Sequence, residues 1–95
     1  METLLWWLFK GSKGGFNRVR IMDLLKKEPY NAYNISEILE LNYKTVRYHL
    51  KLLEEHNIIS TPVDNKYGAV YFLTADMNEH IELFEEIKEN LKVIS

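Results

Sequence analysis

No cysteine occurs in the 95 residues, which removes disulfides, thiolate metal sites and cysteine redox chemistry together and suits a reducing, cytoplasmic setting. Long apolar runs are missing as well. The run at 4–9 (LLWWLF) falls far short of the about 20 residues needed to span a bilayer, and Glu2 rather than a basic segment precedes it, so neither a membrane helix nor a secretory leader is expected. Three of the four glycines lie between Gly11 and Gly15, but they lack the GxxxxGK[ST] spacing and follow no strand, so no phosphate-binding loop is implied. No nucleophile stands beside a base, no carboxylate pair sits in an apolar setting, and no cofactor fingerprint is present. An enzyme is not expected, and no cofactor is implied.

A strong positive charge is also lacking: the net charge is −2. The average hides an asymmetry. Residues 1–56 carry nine Lys or Arg against seven Asp or Glu, whereas residues 57–95 carry three against seven. A basic working end and an acidic C-terminal end suit a chain that turns one surface toward phosphates. The length makes a single domain over 1–95, large enough for a core but small enough that a second copy could supply part of it.

Residues 3–10 read as a short helix that is apolar all round, with Leu4, Leu5, Trp6, Leu8 and Phe9 available both to the domain's own core and to a second subunit. The Gly-rich stretch 11–15 then breaks it as a flexible connector. A second helix is expected from Asn17, as N-cap, to the residues before Pro29, with Ile21, Leu24 and Leu25 inward and Arg18 and Arg20 solvated near its start. Residues 30–33 read as a polar turn. A short helix over 34–41 follows, with Asn34 and Glu37 at the spacing of an N-cap and its N3 carboxylate and with Ile35, Ile38 and Leu39 inward.

The stretch 42–57, NYKTVRYHLKLLEEHN, carries the most information. At about 100° per residue, Val46, Leu50 and Leu53 form one apolar stripe, while Lys44, Arg47, Tyr48 and Lys51 gather on the opposite side with Thr45 beside them. Asn42 stands where an N-cap belongs. A helix over 42–56, joined to the preceding short one by a tight turn, makes a helix-turn-helix, and its outward Lys, Arg and Tyr occupy the turns that reach a DNA major groove. Beyond Asn57 the period changes: 58–63 and 69–74 read as the two strands of a hairpin over 58–74, with Lys66 and Tyr67 at its tip and Pro62 on an unpaired edge. Residues 76–94 read as a last helix that starts after Thr74 or Asp76, with Asp76 and Glu79 at the spacing of a cap and its N3 carboxylate. Met77, Phe84 and Leu91 recur every seven residues, as do His80, Ile87 and Ile94, so the two series form a seam suited to a neighbouring helix.

At TVRYHLKLLEEHNII, residues 45–59, the sequence resembles ArsR-like transcriptional regulators, whose recognition helix enters the wing through a pattern of the form TVxxHLxxLExxxII. Val46, His49, Leu50, Leu53, Glu54, Ile58 and Ile59 stand at the matching positions. The segment DNKYGAVYFLT and the opening LLWWLF look like a small archaeal branch of that group. The resemblance implies a mainly α fold with a small β-hairpin: a winged helix-turn-helix core at 17–74 flanked by dimerisation helices at 1–10 and 76–94. It further implies double-stranded DNA as partner, Lys44, Thr45, Arg47, Tyr48 and Lys51 facing the groove, and Lys66 and Tyr67 on the wing. Leu4, Leu5, Trp6, Leu8, Phe9, Met77, His80, Phe84, Ile87 and Leu91 would hold a homodimer, and the setting would be the cytoplasm, on the nucleoid.

Many members of that group sense metals through cysteines or a His and carboxylate cluster. Here a lone His80 among scattered carboxylates is a weak zinc signal, and no metal site is expected; the effector ligand is unknown. The rival reading is a winged helix used as a protein-interaction module of the transcription machinery. Such modules often lose outward positive charge from the recognition helix, whereas Lys44, Arg47 and Lys51 are kept.

Overall fold

A computed structural model describes residues 1–62 and 68–94, the last three of these by their backbone alone. Helix α1 (Glu2–Trp6) runs directly into a π-helical turn, Trp7–Gly11, where the sequence suggested one uninterrupted helix. The hydroxyl of Ser12 donates to Trp7 O at 2.8 Å, satisfying a carbonyl near the point where the wide turn ends. Helix α2 (Gly15–Lys27) begins two residues before the expected Asn17, because Gly14 takes φ 91° and turns the chain ahead of it. The 11–15 stretch is therefore a packed elbow rather than a loose connector: a Cβ added at Gly15 would lie 2.5 Å from Phe9 O.

The strand β1 (Tyr30–Asn31) occupies what reads locally as a polar turn. Asn31, not Asn34, caps α3 (Ala32–Leu39), accepting from Asn34 N–H at 2.7 Å. Ala32, Ile35 and Ser36 form its core face, and Ile38, expected inward, lies roughly 100° away around the helix and is 49 % exposed. Glu40 turns the chain at φ 56° and Leu41 N–H returns to Ser36 O at 3.0 Å. Asn42 then accepts from the amides of Lys44 and Thr45 at 2.8 and 3.4 Å and opens α4 (Tyr43–Glu55). At its other end Asn57, at φ 61°, closes a Schellman motif in which Ile58 N–H bonds Leu53 O at 2.9 Å and Asn57 N–H bonds Glu54 O at 3.0 Å.

The hairpin strands are shorter than the alternation suggests, β2 (Ile59–Ser60) and β3 (Val70–Leu73). With β1 they form an antiparallel sheet of order β1-β3-β2, in the register Tyr30↔Tyr71 and Ile59↔Leu73. Pro62 follows the edge strand β2, where no ladder bond needs its missing amide. The expected tip residues Lys66 and Tyr67 lie outside the described residues. Thr74 donates to Asn57 O at 2.8 Å and accepts from Met77 N–H at 3.0 Å, so Thr74, not Asp76, caps the short α5 (Ala75–Asn78). A break at Glu79 and His80 separates it from α6 (Ile81–Ile94), and the single C-terminal helix expected from the heptads is thus two.

The core is shared by every element. Leu5, Leu8 and Phe9 from the N-terminal segment meet Ile21, Met22 and Leu25 of α2, Val46, Leu50 and Leu53 of α4, and Phe84 and Ile87 of α6. Phe9 and Phe84 pack edge to face with centroids 5.1 Å apart. On the outside, Lys88 reaches Asp23 at 3.0 Å and Lys26 pairs with Glu85, so α6 is also clamped to α2 by charge. Among the described residues no helix is long and apolar enough to cross a membrane.

The elbow supplies a test with an unusual sign. By helix propensity alone, Gly15→Ala should gain about 1 kcal/mol. Because its Cβ would collide with the Phe9 carbonyl, the expected result is a loss of about 1–3 kcal/mol, read as a lower urea midpoint with an unchanged m-value.

Candidate nucleic-acid interface

Helix α4 divides cleanly into two faces. Val46, Leu50 and Leu53 are at most 1 % exposed, while Tyr48 is 62 % exposed and Lys44, Thr45 and Lys51 stand in solvent beside it. Arg47 is half-buried, and its Nη1 donates to the hydroxyl of Tyr71 on β3 at 3.1 Å. Lys44, Arg47, Tyr48 and Lys51 line one open groove of about 490 Å³, closed by Glu54 and Glu55 along the helix and by Tyr71 from the sheet. Burial pushes the Tyr71 phenol above its ordinary range; the Arg47 guanidinium opposes that shift, and Glu54 and Tyr43 add to it. The hydroxyl therefore stays protonated and accepts from Arg47 as a neutral group.

Behind this face lies a buried cation. Arg18 is 1 % exposed and donates through Nε to Leu8 O at 2.8 Å, through Nη1 to His49 Nδ1 at 3.1 Å, and through Nη2 to the Ser12 hydroxyl and to Lys13 O. Since a guanidinium can only donate, His49 Nδ1 must accept, which places the ring proton on Nε2. Burial and then the charge of Arg18 hold the His49 pKa below its ordinary value of 6.5. Gly14 leaves room for the pair: a Cβ there would sit 2.8 Å from His49 Cε1. Arg20 makes a second link, its Nη2 donating to Leu39 O at 2.9 Å and its Nη1 to Asn17 Oδ1 at 3.2 Å. Neither arginine is merely solvated, and His49 is buried, at 4 % exposed.

The geometry is that of a helix-turn-helix with its wing, and comparison with known proteins agrees. Residues 17–61 match the family model described as bacterial regulatory protein, arsR family. Residues 17–61 form an ArsR-type helix-turn-helix. The fold is similar to the reduced form of the transcriptional regulator YodB from B. subtilis, at TM-score 0.65 and 20 % identity over 81 % of that chain and 87 % of this one. It is also similar to Lactococcus lactis ZitR, in two mutant forms, at TM-scores 0.56 and 0.57 and 22 % identity, covering 81 % of this chain. The present chain spans 57 % of the length of those ZitR chains. No curated protein matches it.

In this ArsR-type motif the five groove-facing residues expected on the recognition helix all lie on one side of α4, four of them exposed and Arg47 drawn toward the sheet. The residues expected between subunits divide in two. Leu5, Leu8, Phe9, Met77, Phe84 and Ile87 are completely buried within the single chain, because the break after α5 turns Met77 and the first turns of α6 into the same core as the N-terminal segment. Leu4, Trp6, His80 and Leu91 are half-buried. Trp7, not expected as an interface residue, is 47 % exposed beside His56, and with Trp6, Thr3, Lys10 and Gly11 it borders a shallow, mostly apolar surface. Two residues were not legible as parts of the site: Tyr71, which alternation alone marks as an ordinary strand residue, and Arg18, which reads as a surface cation.

The Arg18–His49 contact has a pH consequence. The folded ring has a lower proton affinity than the unfolded one, so its contribution to stability is intact above pH 6.5 and declines as the pH falls below that value. Thermal midpoints of the wild type should drop between pH 7 and pH 5, and His49→Gln, which keeps an acceptor for Arg18 but cannot titrate, should show a shallower drop over the same interval.

Proposed function

We propose that this chain is a sequence-specific, DNA-binding transcriptional regulator that works as a homodimer in the cytoplasm, on the nucleoid. In this reading α4 enters the major groove and the wing touches the flanking groove or backbone. One observation carries it: Lys44, Thr45, Tyr48 and Lys51 project from a helix whose other face is completely buried and whose N-terminus is capped by Asn42, so the basic face is presented by a fixed scaffold. The family match over residues 17–61 supports the same reading. Arg47 would contact a base, since a guanidinium can bond guanine O6 and N7 together. Lys44 and Lys51 would bind phosphate and set register. Lys66 and Tyr67 would serve the wing tip.

The dimer would be held by what the terminal segments leave uncovered: Leu4, Trp6 and Trp7 from the first, His80 and Leu91 from the last. Two recognition helices would then meet successive major grooves about 34 Å apart on a roughly palindromic operator. Chemistry on a substrate forms no part of the proposal.

Selection from a randomised duplex library at two salt concentrations tests this reading. An enriched inverted repeat with half-sites one helical turn apart is the expected outcome; residual binding that vanishes with salt and shows no sequence preference would favour a protein-interaction module instead. Lys51→Ala should weaken binding to all sequences alike and lower the salt slope by about one. The paired change Trp7→Glu and Leu91→Glu should give folded monomers with much weaker operator binding; an unchanged sedimentation coefficient rules this surface out as the dimer contact. Phe84→Glu, by contrast, should unfold the chain, because that ring is in the core.

A further inference from the structure

Tyr71 lies outside the helix that faces DNA, yet its hydroxyl meets the one arginine of that face. We infer that Tyr71 is a positioning residue for base recognition, holding the Arg47 guanidinium by Nη1 so that its Nε–Nη2 edge is offered to a guanine; the inference rests on the DNA-binding reading above.

Four observations converge on it. Tyr71 is 2 % exposed, so its ring is fixed by packing. It sits on β3, the central strand of the sheet, and is in register with Tyr30 of β1, so its backbone is fixed as well. The phenol is kept neutral by burial and accepts from Arg47 at 3.1 Å. Finally, Arg47 alone among the cations lining the groove is half-buried, while Lys44 and Lys51 are exposed.

The chemistry follows from the shape of guanidinium. It carries five N–H donors in one plane, and two parallel pairs of them can grip an acceptor pair: Nη1 with Nη2, or Nε with Nη2. A hydroxyl on Nη1 engages the first pair and leaves the second for O6 and N7 of guanine. An arginine already held in place loses less rotamer freedom on docking, and an edge held at a fixed angle discriminates more sharply than one that can swing to a neighbouring base or phosphate. The wing would thereby contribute to sequence specificity from within the protein, through an arginine on another element.

The experiment is library selection with wild type, Tyr71→Phe, Arg47→Ala and the double variant. Tyr71→Phe keeps the buried ring and removes the hydroxyl. The expected result is a loss of about five- to tenfold in discrimination at the same single base position in each half-site that Arg47→Ala affects, with preferences elsewhere and the salt slope unchanged. The double variant should look like Arg47→Ala alone. A wild-type operator whose pattern is identical in Tyr71→Phe overturns the inference, as does a uniform weakening at every position, which is what lost packing alone produces. A wild type with no enriched sequence overturns the DNA-recognition reading itself, and this inference with it. Should Tyr71→Phe fail to fold, nitrogen-15 NMR of the arginine side chains in the free wild type decides: slowed rotation of the Arg47 guanidinium supports the contact, and rotation as fast as that of a solvated arginine overturns it.

Discussion

A guanidinium that is 1 % exposed imposes conditions on everything around it. Removing such a charge from water costs several kcal/mol, and the cost is bearable only if nearly all of its donors are satisfied. Arg18 meets that condition, among the described residues, with no carboxylate. Its partners are carbonyls of the N-terminal segment and of the elbow, the Ser12 hydroxyl and an imidazole of α4. Four parts of the chain must therefore hold one arrangement for one cation to remain buried. The glycines at 14 and 15 follow from the same demand, since a side chain at either would occupy space already taken by His49 or by the Phe9 carbonyl.

This constraint gives the N-terminal segment its place in the monomer. Leu5, Leu8 and Phe9 are spent entirely inside, against α2, α4 and α6, and α6 is held over them by the Phe9–Phe84 contact and by the ion pairs of Lys26 and Lys88 with α2. Those pairs are partly exposed and individually worth little, on the order of 0–1 kcal/mol; they orient the helix more than they stabilise it. What the terminal segments leave outside is a narrower surface centred on Trp7, which is 47 % exposed, with Leu4, Trp6 and Leu91 half-buried.

Helix α4 is supported at both ends and from behind. Asn42 caps its start, the Schellman turn at Asn57 closes its end, and Arg20 ties α2 to the last carbonyl of α3 just ahead of the turn. A face so held can present Lys44, Thr45, Tyr48 and Lys51 without ordering the backbone on binding, which is where much of the cost of association otherwise lies. Arg47 differs from its neighbours in being tied to the sheet, and that difference sets a group that could read a base apart from groups that could only neutralise phosphate.

Local periodicity was enough to find α4, its two faces, the Asn42 cap, the helix-turn-helix and the change to strands after Asn57, because these depend on residues three, four or two positions apart. It was also enough to place Lys44, Thr45, Arg47, Tyr48 and Lys51 on one side. Helix starts were not recoverable: Asn31 rather than Asn34 caps α3, and Thr74 rather than Asp76 caps α5, because a cap is settled by which backbone amides the folded chain leaves within reach of a side-chain oxygen. The heptads of 77–94 were real as a spacing but could not say which surface would bury them, since a seam for a partner helix and a seam for one's own core have the same period. The sequence alone determined the amphipathic helices and the chemistry of the outward face. Only the tertiary structure decided that Arg18 is buried on His49, that Met77, Phe84 and Ile87 are interior, and that Tyr71 meets Arg47, because each is a contact between side chains far apart in sequence, fixed by packing that no local pattern encodes.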